Sequence, residues 1–209
     1  MVLRICMKGC EGVDLGRKRL FLLDLDGTVY LEETLLPGAA AFLSCVRRGG
    51  GAVRYLTNNS PRGVDAGLEK MHRLGVPAAR EEFLTAVEAT VYYLKKTRSP
   101  GDIYYAVGTA SFCRQLRAAG FDIRETPDED VTAVLVGFDT ELTYQKVENA
   151  CRLLARGADF LATNPDWACP TLFGFVPDCG AICEFIARGA GRSPKFIGKP
   201  DPTMIRLAL

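Results

Sequence analysis

Short apolar runs alternate with amphipathic stretches from about residue 20 to the end of the chain, and this alternation constrains the fold more than any other feature. "LFLL" at 20–23 is apolar at every position, as in a parallel strand covered on both faces. A helix is predicted over 38–48, "GAAAFLSCVRR", stopped by three glycines that follow a helix and so read as its cap rather than as a phosphate loop. "AVRYLT" at 52–57 predicts a second strand, and a helix from Pro61 carries Val64, Leu68 and Met71 on one face. The rhythm continues through a helix "EATVYYLKK", a strand "DIYYAVG", a helix "TASFCRQLRAAG", a strand "VTAVLVG" and a helix "TYQKVENACRLLARG". In the last of these Val147, Ala150, Cys151 and Leu154 keep one helical stripe, which is core. "DFLAT" predicts a strand, residues 164–179 with three prolines a loop, then come a helix near Ala181, a strand "KFI" and a final helix "PTMIRLAL". Strand and helix in this order specify an α/β fold with a doubly wound, mostly parallel sheet.

Composition narrows the partners. Of 209 residues, 48% are hydrophobic and 24% charged, the balance of a globular chain, and the net charge of +1 gives no reason to expect a nucleic acid. No apolar run approaches the roughly 20 residues that span a bilayer, so no membrane partner is expected. The first 19 residues are too polar and broken for a signal peptide. None of the eight cysteines forms a C-x-x-C, and most sit among apolar residues as buried or idle thiols, so a reducing, cytoplasmic setting is expected. Cys169, in the proline-rich loop, is the cysteine to watch. His72 is the only histidine and reads as a surface residue, so a histidine-based phosphatase is excluded.

In open α/β sheets ligands bind beyond the carboxyl ends of the strands. Three such ends are polar here. At the first, Asp24 and Asp26 are two apart, so both carboxylates can converge while Leu25 turns to the core. Two like charges this close make a magnesium site or a proton-sharing site, and the bland reading is a chance D-x-D that starts a turn. At the second, Thr57-Asn58-Asn59-Ser60-Pro61, a helix start places free N–H groups beside a hydroxyl and two amides, an arrangement that binds phosphate and also describes any strand-to-helix turn. At the third, Gly198-Lys199-Pro200-Asp201-Pro202, Lys199 projects from a turn. Carboxylates, phosphate donors and a cation at strand ends compose a phosphoryl-transfer site.

The three segments in this order resemble the haloacid dehalogenase superfamily, in its subclass IIA of phosphatases that act on p-nitrophenyl phosphate, phosphoglycolate, pyridoxal phosphate and nucleotides. "DLDGTVY", "LTNNS" and "GKP" match its first three motifs, and "VLVGFD", "LATNPD" and "PDCGA" look like further signatures of that subclass. The resemblance implies a Rossmann-like core, 20–84 and 180–209, with an inserted α/β cap domain at 85–179. It implies Asp24 as nucleophile, Asp26 as general acid and base, Thr57, Asn58 and Asn59 as phosphate ligands, and Lys199 as the cation between nucleophile and phosphate. Mg2+ would bind the Asp24 carboxylate and the Asp26 main-chain carbonyl. A small phosphorylated metabolite is the implied substrate, chosen by the cap loop "NPDWACPT", where Trp167 serves either as an apolar wall or as packing between cap and core. A homodimer through the cap is a further implication.

One departure bears on activity. The family pattern ends in a Gly-Asp followed by another Asp, supplying metal-binding carboxylates, and no such segment occurs up to Leu209; Asp128-Glu129-Asp130 reads as a solvated turn of the cap. The first strand is then expected to be a sheet edge. The alternative function is a catalytically silent phosphate-binding or interaction module. A receiver-type signalling domain would need an Asp on a later strand, which "LTNNS" does not offer.

Overall fold

The computed structural model describes residues 15–58 and 63–209. The chain begins with β1 (Leu20–Leu23), a small hairpin of β2 (Tyr30–Leu31) and β3 (Thr34–Leu35), α1 (Ala39–Arg48), β4 (Ala52–Thr57) and α2 (Gly63–Arg73). It continues with β5 (Phe83–Thr85), α3 (Ala86–Thr97), β6 (Ile103–Val107), α4 (Ala110–Ala118), β7 (Asp122–Arg124), β8 (Ala133–Val136) and α5 (Tyr144–Ala155). The last elements are β9 (Asp159–Ala162), β10 (Ala168–Thr171), β11 (Gly174–Pro177), α6 (Cys179–Ala190), β12 (Lys195–Phe196) and α7 (Thr203–Ala208).

Two parallel sheets divide these elements. One has the order β1-β4-β5 and the other β12-β9-β8-β6-β7. Every residue of β8 is fully buried, as an apolar strand with helices on both faces should be, and its Val134, Leu135 and Val136 side chains each contribute roughly 1.5–3 kcal/mol. Threonines start α3, α4 and α5. Thr85 and Glu88 form a capping box on α3, and the hydroxyls of Thr109 and Thr143 accept from the third residue of α4 and α5. This is an α/β protein of Rossmann type.

The structure departs from the sequence expectation in four places. Although apolar throughout and expected to be covered on both faces, β1 is only partly buried; β4 is its one partner, and its other side is the sheet edge expected for it, among the described residues. The segment expected as a loop at 164–179 contains the antiparallel hairpin β10–β11, whose Pro170 and Pro177 fit because the pair has no further neighbour strands. The β2–β3 hairpin joins Tyr30-Leu31 to Thr34-Leu35 through Glu32-Glu33, a spacing too short to register as a strand pattern. Finally, the boundary expected at 180 does not follow the sheets. Ile182, Cys183 and Ile186 of α6 share a core with Val134, Val136 and Leu153, and β12 pairs parallel with β9. Only after Phe196 does the chain return, when Ile197 and Met204 pack with Leu56 and Leu84 of the first sheet.

Candidate active site

The carboxyl ends of β1 and β4 meet the turn that follows β12. Lys199 Nζ donates to Asp24 Oδ1 at 2.7 Å and to the Leu56 carbonyl at 2.9 Å. Residues 175 apart in sequence thus form an ion pair, one partner half-exposed and the other about a third exposed. Asp26 follows two residues later, partly buried and bridged to Tyr30. Asp24 and Lys199 are therefore in direct contact, with Asp26 two residues further along the same loop.

Asn58 does more than the sequence suggests. It is buried, its Nδ2 donates to Asp166 Oδ2 at 2.9 Å and to the Lys199 carbonyl at 3.1 Å, and its Oδ1 accepts from Lys199 N at 3.1 Å. Asn164 Nδ2 donates to the Asn58 carbonyl at 3.1 Å, while its Oδ1 accepts from Asp166 N. The Asn58 amide braces the lysine turn, with its nitrogen and its oxygen both bonded to protein partners. Thr57 ends β4 and is buried. Asn59 and the Ser60-Pro61 helix start lie outside the described residues. Asp166 carries no assigned role in the sequence, where "NPD" reads only as a signature; its contact with Asn58 spans 108 residues and depends on tertiary folding.

The hairpin β10–β11 leans on this loop. A methyl group on Gly27 would meet Pro170 Cγ at 4.0 Å, and Leu172 N donates to Glu32 Oε1 at 2.8 Å. Burial, with Asp26 and Asp178 nearby, pushes the Cys169 thiol up to about 12, so it stays protonated at neutral pH and is no nucleophile. It lies in β10 and is buried, not in a loop. Burial, then Asp26 and Asp24, push the Tyr30 phenol well above its usual range. Trp167 is 64% exposed, so it is not packed between the two sheets. Beside Asp26 a cavity of about 440 Å³ is lined by Tyr30, Thr57, Lys70 and Thr85 from one side and by Phe138 and Thr140 from the other.

Asp178, also outside the sequence expectation, caps α6 by accepting from Cys179 N. Burial, together with Asp166 and Asp26, raises its pKa to about 6 against the opposing bond from Cys179. Because this exceeds the unfolded value of about 3.9, the native state holds the proton more tightly. Stability from this group is fully present below about pH 4 and is lost as pH rises through about 6, a change on the order of 3 kcal/mol. Asp178→Asn keeps the cap acceptor, so it is expected to be the more stable protein at pH 7 and to flatten that slope. Urea unfolding at several values between pH 4 and 7 measures both, and a variant with the wild-type slope rules out Asp178 as its source.

Among the described residues no group of three or more His, Cys, Asp or Glu side chains forms a metal cage. The oxygen donors at Asp24 and Asp26 nonetheless fit a hard cation that keeps several waters and binds one or two carboxylates plus substrate oxygens.

The six described cysteines are free thiols, and His72 is exposed, its Nε2 3.0 Å from the Ala78 carbonyl. No helix among the described residues is long and apolar enough to cross a membrane.

Comparison with known proteins agrees with this geometry. Residues 21–122 match the family model of haloacid dehalogenase-like hydrolases. An acid sugar phosphatase of Staphylococcus aureus (strain MRSA252) is 36% identical over 191 residues, 91% of this chain and 73% of the relative. The crystal structure of a 4-nitrophenylphosphatase from Thermotoga maritima superposes with a TM-score of 0.85 at 34% identity, covering 92% of this chain and 73% of that one. A glycerol phosphate phosphatase of Mycobacterium tuberculosis, crystallised with magnesium, gives a TM-score of 0.83 at 27% identity over 91% of this chain and 57% of that one. The chain belongs to the haloacid dehalogenase-like hydrolases, among the subclass IIA phosphatases.

Proposed function

We propose that this chain hydrolyses small phosphomonoesters, sugar phosphates foremost, through an aspartyl-phosphate intermediate. The observation that carries the reading is the 2.7 Å contact between Lys199 Nζ and Asp24 Oδ1 at the carboxyl end of the first sheet. Asp24 attacks phosphorus as the ester P–O bond breaks, and Asp26 gives its proton to the leaving oxygen. Asp26 then takes a proton from the water that attacks the same phosphorus, and the bond to Asp24 breaks. Lys199 balances charge between the nucleophile and the phosphoryl oxygens. Thr57, the main chain after it and Asn59 complete the phosphate site, with Asn58 as its brace. The Asp24 carboxylate and the Asp26 main-chain carbonyl would hold Mg2+, which would supply charge neutralisation between two anions.

In this reading the first sheet with α7 is the catalytic core and the second, with β10–β11, the cap. The relatives' names support sugar phosphates as the substrate class. The free thiols suit a reducing, cytoplasmic setting. Exposed Phe173, Phe175 and Phe185 support a homodimer through the cap. Release of phosphate from p-nitrophenyl phosphate and from sugar phosphates tests the reading. EDTA is expected to lower the rate roughly 10³-fold and added magnesium to restore it. A second reading, a catalytically silent phosphate-binding module, is favoured by the absence of a three-ligand metal cluster among the described residues. Phosphate binding with no magnesium-dependent turnover selects it.

A further inference from the structure

Glu32 stands where its backbone is strained. It is the first of the two loop residues joining β2 to β3, with φ at 46°, a left-handed region that two-residue hairpins fill with glycine, asparagine or aspartate. Among the described residues it is the one side-chain-bearing residue in that region. Such strain persists only where surrounding contacts hold it, and at functional sites it is part of how they work. What holds it here comes from the other end of the chain. The Glu32 carboxylate accepts from Leu172 N at 2.8 Å, across 140 residues, at the tip of β10–β11. Its neighbour Glu33 turns the other way, to Arg73 at 3.2 Å. The tip it grips is otherwise open: Leu172 and Phe173 are 67% and 79% exposed. Behind the tip, Pro170 sits opposite Gly27 and Cys169 lies within the field of Asp26.

We propose that Glu32 is a positioning residue, a latch that holds the β10–β11 hairpin against the Asp24–Asp26 loop and thereby sets how tightly a phosphomonoester is held. A carboxylate suits the task, because a charge-assisted bond to an N–H is stronger than a neutral one. The latch is a matter of structure; its effect on substrate rests on the phosphatase reading above.

Two substitutions separate latch from scaffold. Glu32→Gly removes the carboxylate and relieves the strained φ, so the thermal midpoint is expected to stay level or rise. Hydrogen–deuterium exchange of the 168–177 segment is nevertheless expected to accelerate about fivefold at the tip, and KM for p-nitrophenyl phosphate to rise about fivefold with a smaller change in kcat. Glu32→Gln keeps an acceptor oxygen and is expected to restore most of both. Unchanged exchange at the tip in Glu32→Gly overturns the latch whatever the activity. Faster exchange with no turnover in any form upholds the latch and removes the catalytic reading instead. Faster exchange with wild-type KM overturns its role in holding substrate.

Discussion

Asp24→Asn is expected to lower phosphomonoester turnover by at least about 10⁴-fold while leaving the protein folded. The loss is large because the amide cannot form the acyl phosphate, and the remaining positioning by Lys199 and the phosphate turn stabilises only what the nucleophile would have formed. The fold survives because the site is open. Asp24 is 46% exposed on its side chain and its partner Lys199 30%, so each is solvated, and Lys199 keeps its bond to the Leu56 carbonyl. A stability change within about 1 kcal/mol is expected. Single-turnover phosphate release and urea unfolding on the same preparation check the pair of statements. Activity above about one part in a hundred of wild type would place the nucleophile elsewhere.

Much of this site was legible from residue type and order alone. Apolar runs ending in Asp24, Thr57 and the Gly198-Lys199 turn are local features; β1 and β4 are parallel neighbours in one sheet, so the meeting of Asp24 and Thr57 follows from topology, whereas the lysine turn arrives from a strand of the other sheet. Contacts between distant segments were not legible. Asn58 looks like a ligand amide until Asp166 and the Lys199 main chain are seen around it. Asp178 looks like an ordinary helix cap, and only burial beside Asp166 and Asp26 raises its pKa. The hairpins escaped because strands of two to four residues are shorter than any periodicity can register, although an acidic pair between two pairs of β-forming residues, "YLEETL", was a signal. The two-residue β12 reads as part of the last βα unit, yet its partner is β9. Which sheet a strand joins depends on what its flanking helix covers, and α6 covers the second.

Gly198→Ala is expected to damage stability and catalysis together, because this glycine is where the lysine turn is pressed into place. A Cβ there would lie 2.4 Å from the Thr163 carbonyl oxygen and 2.7 Å from Asn58 Oδ1, contacts that real Cβ atoms do not make. The first is main chain and the second an amide already tied to Lys199 N, so neither neighbour can yield cheaply. The turn itself must move, which breaks the 2.7 Å bond from Gly198 N to Thr163 O and loosens Lys199 N from Asn58. Overpacking of about 1–3 kcal/mol and two hydrogen bonds of about 1 kcal/mol each give an expected loss of roughly 3–5 kcal/mol. Lys199 Nζ would leave Asp24 by a distance on the order of 1 Å, enough for about 10²-fold in rate among molecules that remain folded. Gly101→Ala is the control, since nothing lies within 4 Å of a methyl built there and its φ is not in the left-handed region. It is expected to stay within about 0.5 kcal/mol of wild type and to keep full rate. Urea unfolding sets the folded fraction and phosphate release per folded molecule sets the rate. If Gly198→Ala matches the control on both, the lysine is not held by this turn, and its 2.7 Å approach to Asp24 must have another cause.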